Sequence, residues 1–173
     1  MRALGIALAC SFLLNASASA GTLTEDEIIQ LRSQISELMG AFERGETKPF
    51  VEQTHDSLLA LAGGQEAFAR TTQQAVDQLL RSGIKFVESD VGNPTETYSA
   101  GEEEVCFVPR TSVMEIGGKR AKSITFMIAI RKRGGEWKFL DGAGLRRHPD
   151  LLYRLLPELE RGIELPLNMI EAL

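Results

Sequence analysis

The chain has 173 residues, 43% of them hydrophobic and 25% charged, and a formal net charge of −5. That length and composition suit one domain with an ordinary core that needs no covalent staples. The acidic balance, with basic residues scattered along the chain, argues against general nucleic-acid binding.

Met1 and Arg2 make a short positive start, Leu4 to Leu14 is mostly apolar, and Ala18-Ser19-Ala20 presents small residues where a signal peptidase reads. The apolar stretch is about 11 residues, too short to span a ~30 Å hydrocarbon core as a helix. Residues 1–20 are therefore expected to be a removed export signal, with the protein periplasmic or secreted after cleavage near Ala20. A buried N-terminal helix would have no polar face. A lipid anchor on Cys10 would have alanine at position 7, where leucine is usual. Export removes Arg2 and Cys10 and leaves a single domain over 21–173. Its lone cysteine, Cys106, can form no intramolecular disulfide.

Thr24-Glu25-Asp26-Glu27 has the pattern of a capping box, with three carboxylates at the positive end of a helix dipole. Ile28, Leu31, Ile35, Leu38 and Phe42 follow at steps of three and four, one apolar stripe of a helix that Gly45 ends. Pro49 suits the first turn of a second helix running to about Leu61, which Gly63-Gly64 closes. A third helix is predicted from about Gln65 to Arg81, burying Phe68, Thr72, Ala75, Val76, Leu79 and Leu80. Ile84 to Val91 reads as a strand, broken by Gly92-Asn93-Pro94.

Gly117-Gly118 and Gly134-Gly135 then separate three β-rich runs, Glu104 to Ile116, Lys119 to Lys132 and Glu136 to Asp141. Paired glycines supply the positive φ angles of tight antiparallel hairpins. Between Ser123 and Arg131, residues Ile124, Phe126, Ile128 and Ile130 share an apolar face. Ser123, Thr125, Met127 and Ala129 share a smaller, mixed one, as in a strand half covered by helices. Asp141-Gly142 is a turn signal. A last helix through Leu151, Leu152, Leu155 and Leu156 meets Pro157, and the final dozen residues read as a docked strap or a loose tail. Helices followed by an antiparallel meander make an α+β domain.

No set of residues composes a catalytic signature. His55 is the most suitable acid/base group, and Asp141, flanked by aromatics, is the one strand carboxylate that could partner it. Both also have structural explanations, His55 as a partly exposed helix residue and Asp141 as the shaper of the turn before Gly142. Cys106, mid-strand with no nearby cation, reads as a small buried hydrophobe. Two histidines and one cysteine lack metal-ligand spacing, so no metal or other cofactor is expected. Phe126, Trp137 and Phe139 could line a ligand pocket or belong to the core. Glu102-Glu103-Glu104, Arg131-Lys132-Arg133 and Arg146-Arg147-His148 read as charges that keep sheet edges soluble, or as a partner-binding surface.

The order of elements resembles the NTF2-like superfamily, the cystatin-like α+β cone. Two stretches carry the likeness. One is the first helix ending Ala41-Phe42-Glu43-Arg44-Gly45-Glu46, with Phe50 and Thr54-His55 after it. The other is Arg133-Gly134-Gly135-Glu136-Trp137-Lys138-Phe139-Leu140-Asp141-Gly142. Together they span residues 24 to 145. The resemblance implies a bent sheet wrapped around helices, a conical pocket between them, and often a homodimer formed through the sheet. It implies no particular activity, because that fold hosts enzymes, binding modules and inert scaffolds. The extension from about residue 145 is not part of the common core. Three functions follow: an exported, non-catalytic domain that binds a small apolar ligand in the cone; a lyase- or isomerase-type pocket enzyme using His55 and Asp141; or a cell-envelope interaction or inhibitor protein working through its sheet surface. The first makes no demand that the sequence fails to meet.

Overall fold

The computed structural model describes residues 21–173, and the expected export signal at 1–20 lies outside them. Helix α1 (Glu25–Glu43) begins with the capping box in place. Thr24 Oγ1 accepts from the Glu27 amide at 3.3 Å, and Glu27 Oε2 accepts from the Thr24 amide at 2.9 Å. Leu31, Ile35, Leu38 and Met39 are buried along one face.

The second helix differs from expectation. Lys48–Glu52 (α2) and Asp56–Leu61 (α3) are separate helices. Between them Thr54 and His55 leave the helical path to bridge the edge of a strand. The His55 amide donates to Phe139 O at 3.0 Å, and the Phe139 amide donates to Gln53 O at 2.8 Å. Long-range backbone pairing here outweighs local helix propensity. Helix α4 (Gln65–Arg81) has its expected bounds but buries only Thr72 and Val76, while Ala75 and Leu80 remain exposed.

Six antiparallel strands follow: β1 (Lys85–Val91), β2 (Tyr98–Ala100), β3 (Glu103–Ile116), β4 (Lys119–Lys132), β5 (Lys138–Asp141) and β6 (Met169–Ala172). They form one curved, open sheet. Its spine is the β3–β4 hairpin, in unbroken register from Glu103↔Lys132 to Ile116↔Lys119. β1 and β2 share the outer edge of β3, and β5 and β6 share that of β4. Gly117 and Gly118, at φ 57° and 78°, make the tight turn that paired glycines predict. The β4–β5 link is different. Residues 133–137 connect the strands, Gly134 alone of its pair has positive φ, and the longer loop carries Trp137 into the core.

Both faces of the sheet are covered, which corrects the expected half-covered strand. Helix α1 packs on the mixed face, with Leu31, Ile35, Leu38 and Met39 against Cys106, Val108, Met127, Ala129, Trp137 and Phe139. The strongly apolar face, with Val105, Phe107, Phe126, Ile128 and Ile130, is covered by the C-terminal segment. That segment comprises a 3₁₀ turn (Gly142–Leu145), helix α5 (Leu151–Leu155) and the residues after it. Leu145, Leu152, Leu155, Leu156 and Leu159 form that second layer. A Cβ on Gly142 would lie 2.6 Å from the Phe126 ring, so only glycine lets the chain turn down onto this face. β6 then adds a strand to β4. Among the described residues no helix is long and apolar enough to cross a membrane.

Candidate functional site: a buried polar strip on the helix side of the sheet

Alternation along the β3–β4 register assigns each side chain to a face. On the α1 side, Cys106 and Val108 are followed by Arg110 and Ser112 on β3, and Met127 by Thr125 and Ser123 on β4. Arg110 pairs with Thr125 and Ser112 with Ser123. All four polar residues are buried, with Arg110 7% exposed and Thr125 2%.

Asp141, opposite Met127 on β5, closes one end of this strip. Its Oδ1 accepts from the Ala143 amide at 2.9 Å, the turn-shaping bond that Asp-Gly predicts. Its Oδ2 lies 3.5 Å from Arg110 Nη2, at the long limit of a hydrogen bond. At the other end Arg146 Nη2 reaches Ser123 Oγ at 3.5 Å, while its Nε donates to Asn168 Oδ1 at 3.1 Å. Asn168 in turn donates to Gly142 O at 2.6 Å.

Two buried atoms in the strip, Arg110 Nε and Thr125 Oγ1, make no hydrogen bond within the protein. They sit on directly paired residues, whose Cβ atoms in such a pair are about 5 Å apart. Each such orphan costs ~1–3 kcal/mol, so two on one register pair call for a physical reason.

His55 lies elsewhere. Its Nδ1 accepts from the Ser57 amide at 3.3 Å and sits 2.8 Å from Ser57 Oγ. Its Nε2 is 3.3 Å from Glu103 Oε1. The amide contact fixes Nδ1 as the acceptor of the neutral ring, so Nε2–H donates to Glu103. Glu103 shares the tail-covered face with Val105 and Phe107, whereas Asp141 shares the helix-covered face with Phe139. The imidazole is thus engaged with a carboxylate on the opposite face from Asp141. A cleft of about 240 Å³ adjoins His55 and Glu103, lined also by Asp56, Lys132, Glu136 and Lys138.

The three aromatic candidates also divide. Phe126 packs edge-on against Phe107 under the tail, with ring centroids 5.7 Å apart. Trp137 and Phe139 pack under α1. The Arg131 guanidinium stacks 4.1 Å over the Trp137 ring, a cation–π contact. Arg131 also bonds Glu27 Oε1 at 2.6 Å and Glu104, tying the start of α1 to the end of β4. The hydrogen bond from Arg131, reinforced by Thr24, holds the Glu27 carboxyl down at about 2. Cys106 is fully buried, and desolvation pushes its thiol up to about 12, so it is an inert thiol near neutral pH.

Among the described residues no group of three or more His, Cys, Asp or Glu is placed to hold a metal ion. The strip itself, built from guanidiniums and hydroxyls, is chemically unsuited to a cation. Sequence reasoning singled out Asp141, and placed Glu103 in an acidic run at a sheet edge and Thr125 on the mixed face of a strand, but did not single out Arg110. For Arg110 a signal exists: on the Cys106–Val108 alternation an arginine falls at an inward position, the mark of a buried charge that needs a partner. A scan against models of protein families matched none, and searches of curated proteins and of solved structures found no similar protein.

Proposed function

We propose that the protein is an exported, non-catalytic domain of NTF2-like type that binds a small ligand with an apolar body between its helices and the curved sheet. The observation that carries this proposal is the pair of orphaned buried atoms, Arg110 Nε and Thr125 Oγ1, at the border of an apolar core. Retaining two unpaired polar atoms costs stability that apolar side chains of the same shape would not cost. A ligand that pairs them offsets that cost. Asp141 supports the binding role by anchoring the Arg110 guanidinium and, through Ala143, the turn below it.

Native mass spectrometry of the protein purified from its own host tests this. A retained small-molecule mass, lost on denaturation and absent from an Arg110→Met variant, is expected. A bare chain mass under gentle ionisation, in parent and variant alike, contradicts it.

A second function rests on His55, because Glu103 orients its imidazole and leaves Nδ1 facing the Ser57 hydroxyl. Base, hydroxyl and orienting carboxylate are the parts of an activated nucleophile. The same contacts cap α3, which is reason enough for them. If the group is chemical, Ser57→Ala abolishes labelling by a fluorophosphonate probe; if it is a cap, the parent itself is not labelled.

A further inference from the structure

The sheet has four outer edges, and three of them are closed or guarded. Along β5, Phe139 exchanges backbone hydrogen bonds with Gln53 and His55. Beside β2, the Thr97 amide donates to Gly21 O, and Ser99 O accepts from the Glu160 amide. β1 carries the devices that keep an open edge from pairing: a register shift between Phe86 and Glu88, and exposed Lys85, Glu88 and Asp90.

β6 has none of these. It pairs with β4 in unbroken register from Ala121↔Ala172 to Ile124↔Met169, and the Leu173 amide donates to Arg120 O at 3.0 Å. In an antiparallel ladder that alternation turns the amides and carbonyls of Ile170 and Ala172 outward, and no other backbone group of the described residues bonds them. The one charge of the strand, Glu171, lies opposite Lys122. Among the described residues nine large hydrophobic side chains are exposed, and four of them, Leu167, Met169, Ile170 and Leu173, fall between 167 and 173. A cluster this dense marks a contact surface, unlike the single apolar residues scattered over any protein.

We propose that β6 is the contact between two copies of this chain, each pairing its free edge with the other's in antiparallel fashion about a two-fold axis at Ile170. The segment is complementary to itself in that register. Ile170 meets Ile170 of the second copy through their outward amides and carbonyls. Leu173 comes opposite Leu167, so that the two most exposed of these side chains, at 66% and 68%, cover each other. Glu171 lies across from Met169 and keeps Lys122 on its other side. Shifting the axis to Glu171 would set that carboxylate directly against itself, and like charges placed so are destabilising. An unrelated strand could take the backbone edge, but the spacing of Leu167, Ile170 and Leu173 reads the same in both directions, as an isologous contact requires. The contact runs edge to edge, and so differs from a dimer packed through the face of the sheet. One short strand a side buries less than the ~1,200–2,000 Å² of a standard interface, so the dimer is expected to dissociate on dilution.

The experiment is a light-scattering mass measurement of the full mature chain over a concentration series, joined to disulfide trapping. The parent's mass is expected to rise from that of one chain toward that of two. Ile170→Pro removes only an outward amide, which the folded chain does not use, and proline is tolerated at such an edge. It is expected to stay a monomer at every concentration while keeping the melting temperature of the dilute parent. Cα atoms of a hydrogen-bonded antiparallel pair lie about 5.5 Å apart, within the span of a disulfide. Ile170→Cys is therefore expected to oxidise to a linked dimer and Glu171→Cys is not, with the native Cys106 buried out of reach. A parent that keeps the mass of one chain throughout overturns the proposal and leaves the edge to a partner of different sequence. A dimer that Ile170→Pro leaves intact, or equal linking at 170 and 171, overturns the assignment of the contact to β6 in this register.

Discussion

The helix-side face of the β3–β4 hairpin is built in two halves, equally buried and chemically opposite. Toward the open end of the ladder, Cys106, Val108, Met127 and Ala129 lie under α1 and are fully buried. Toward the Gly117–Gly118 turn, the same face carries Arg110, Ser112, Ser123 and Thr125, at most 8% exposed, with two polar atoms unpaired. Burial alone therefore does not explain the second half. The first half supplies stability, and the second gives up some of it, as sites that bind do.

If that division holds, substitutions in the apolar half should be costly. Met127→Ala is expected to lose about 3 kcal/mol in urea unfolding, since it removes a fully buried side chain from a packed layer. Arg131→Met should come next, at about 2 kcal/mol. It strands Glu27 and Glu104 while keeping contact with Trp137, and partners left without their cation account for the loss.

The same network sets the response to acid. A carboxyl held below its ordinary value of 4.5 contributes stability that is fully present above that value and lost as pH falls toward about 2. Glu27→Gln is expected to flatten this part of the stability–pH profile relative to the parent. An unchanged acid limb would show that Glu27 is not held by Arg131. A smaller effect belongs to the turn. Gly118→Val places a β-branched residue at φ 78° with open space around its Cβ, so backbone strain alone should cost about 1–2 kcal/mol. An unchanged melting temperature would contradict the turn.

The sequence is legible where local chemistry decides. The capping box at Thr24, the bounds of β4 and the glycine turn at 117–118 are all local signals, and the structure has them as predicted. It is illegible where distant segments meet. Thr54 and His55 leave a helix because β5 offers them backbone partners some 85 residues on. Leu152, Leu155 and Leu156 announce a helix, but nothing local announces that this helix and Leu159 cover Phe107 and Phe126. The strip is hidden for a related reason: serine and threonine on a strand read as a solvated face, and only the fold shows them buried. Glu103, in an acidic run that looks like a soluble edge, gains its role from a histidine 48 positions away.

Thr125→Val has the smallest expected effect on stability and the opposite sign, and it separates the two halves most cleanly. Equilibrium urea unfolding of this variant and of the parent is the direct measurement, because removing an unpaired buried hydroxyl and removing a paired one change stability in opposite directions. The variant should be as stable as the parent, or more stable by up to about 1 kcal/mol through loss of an unpaired hydroxyl. A variant less stable than the parent would show that the Thr125 hydroxyl is paired within the fold, and would contradict the assignment of the strip as a binding site.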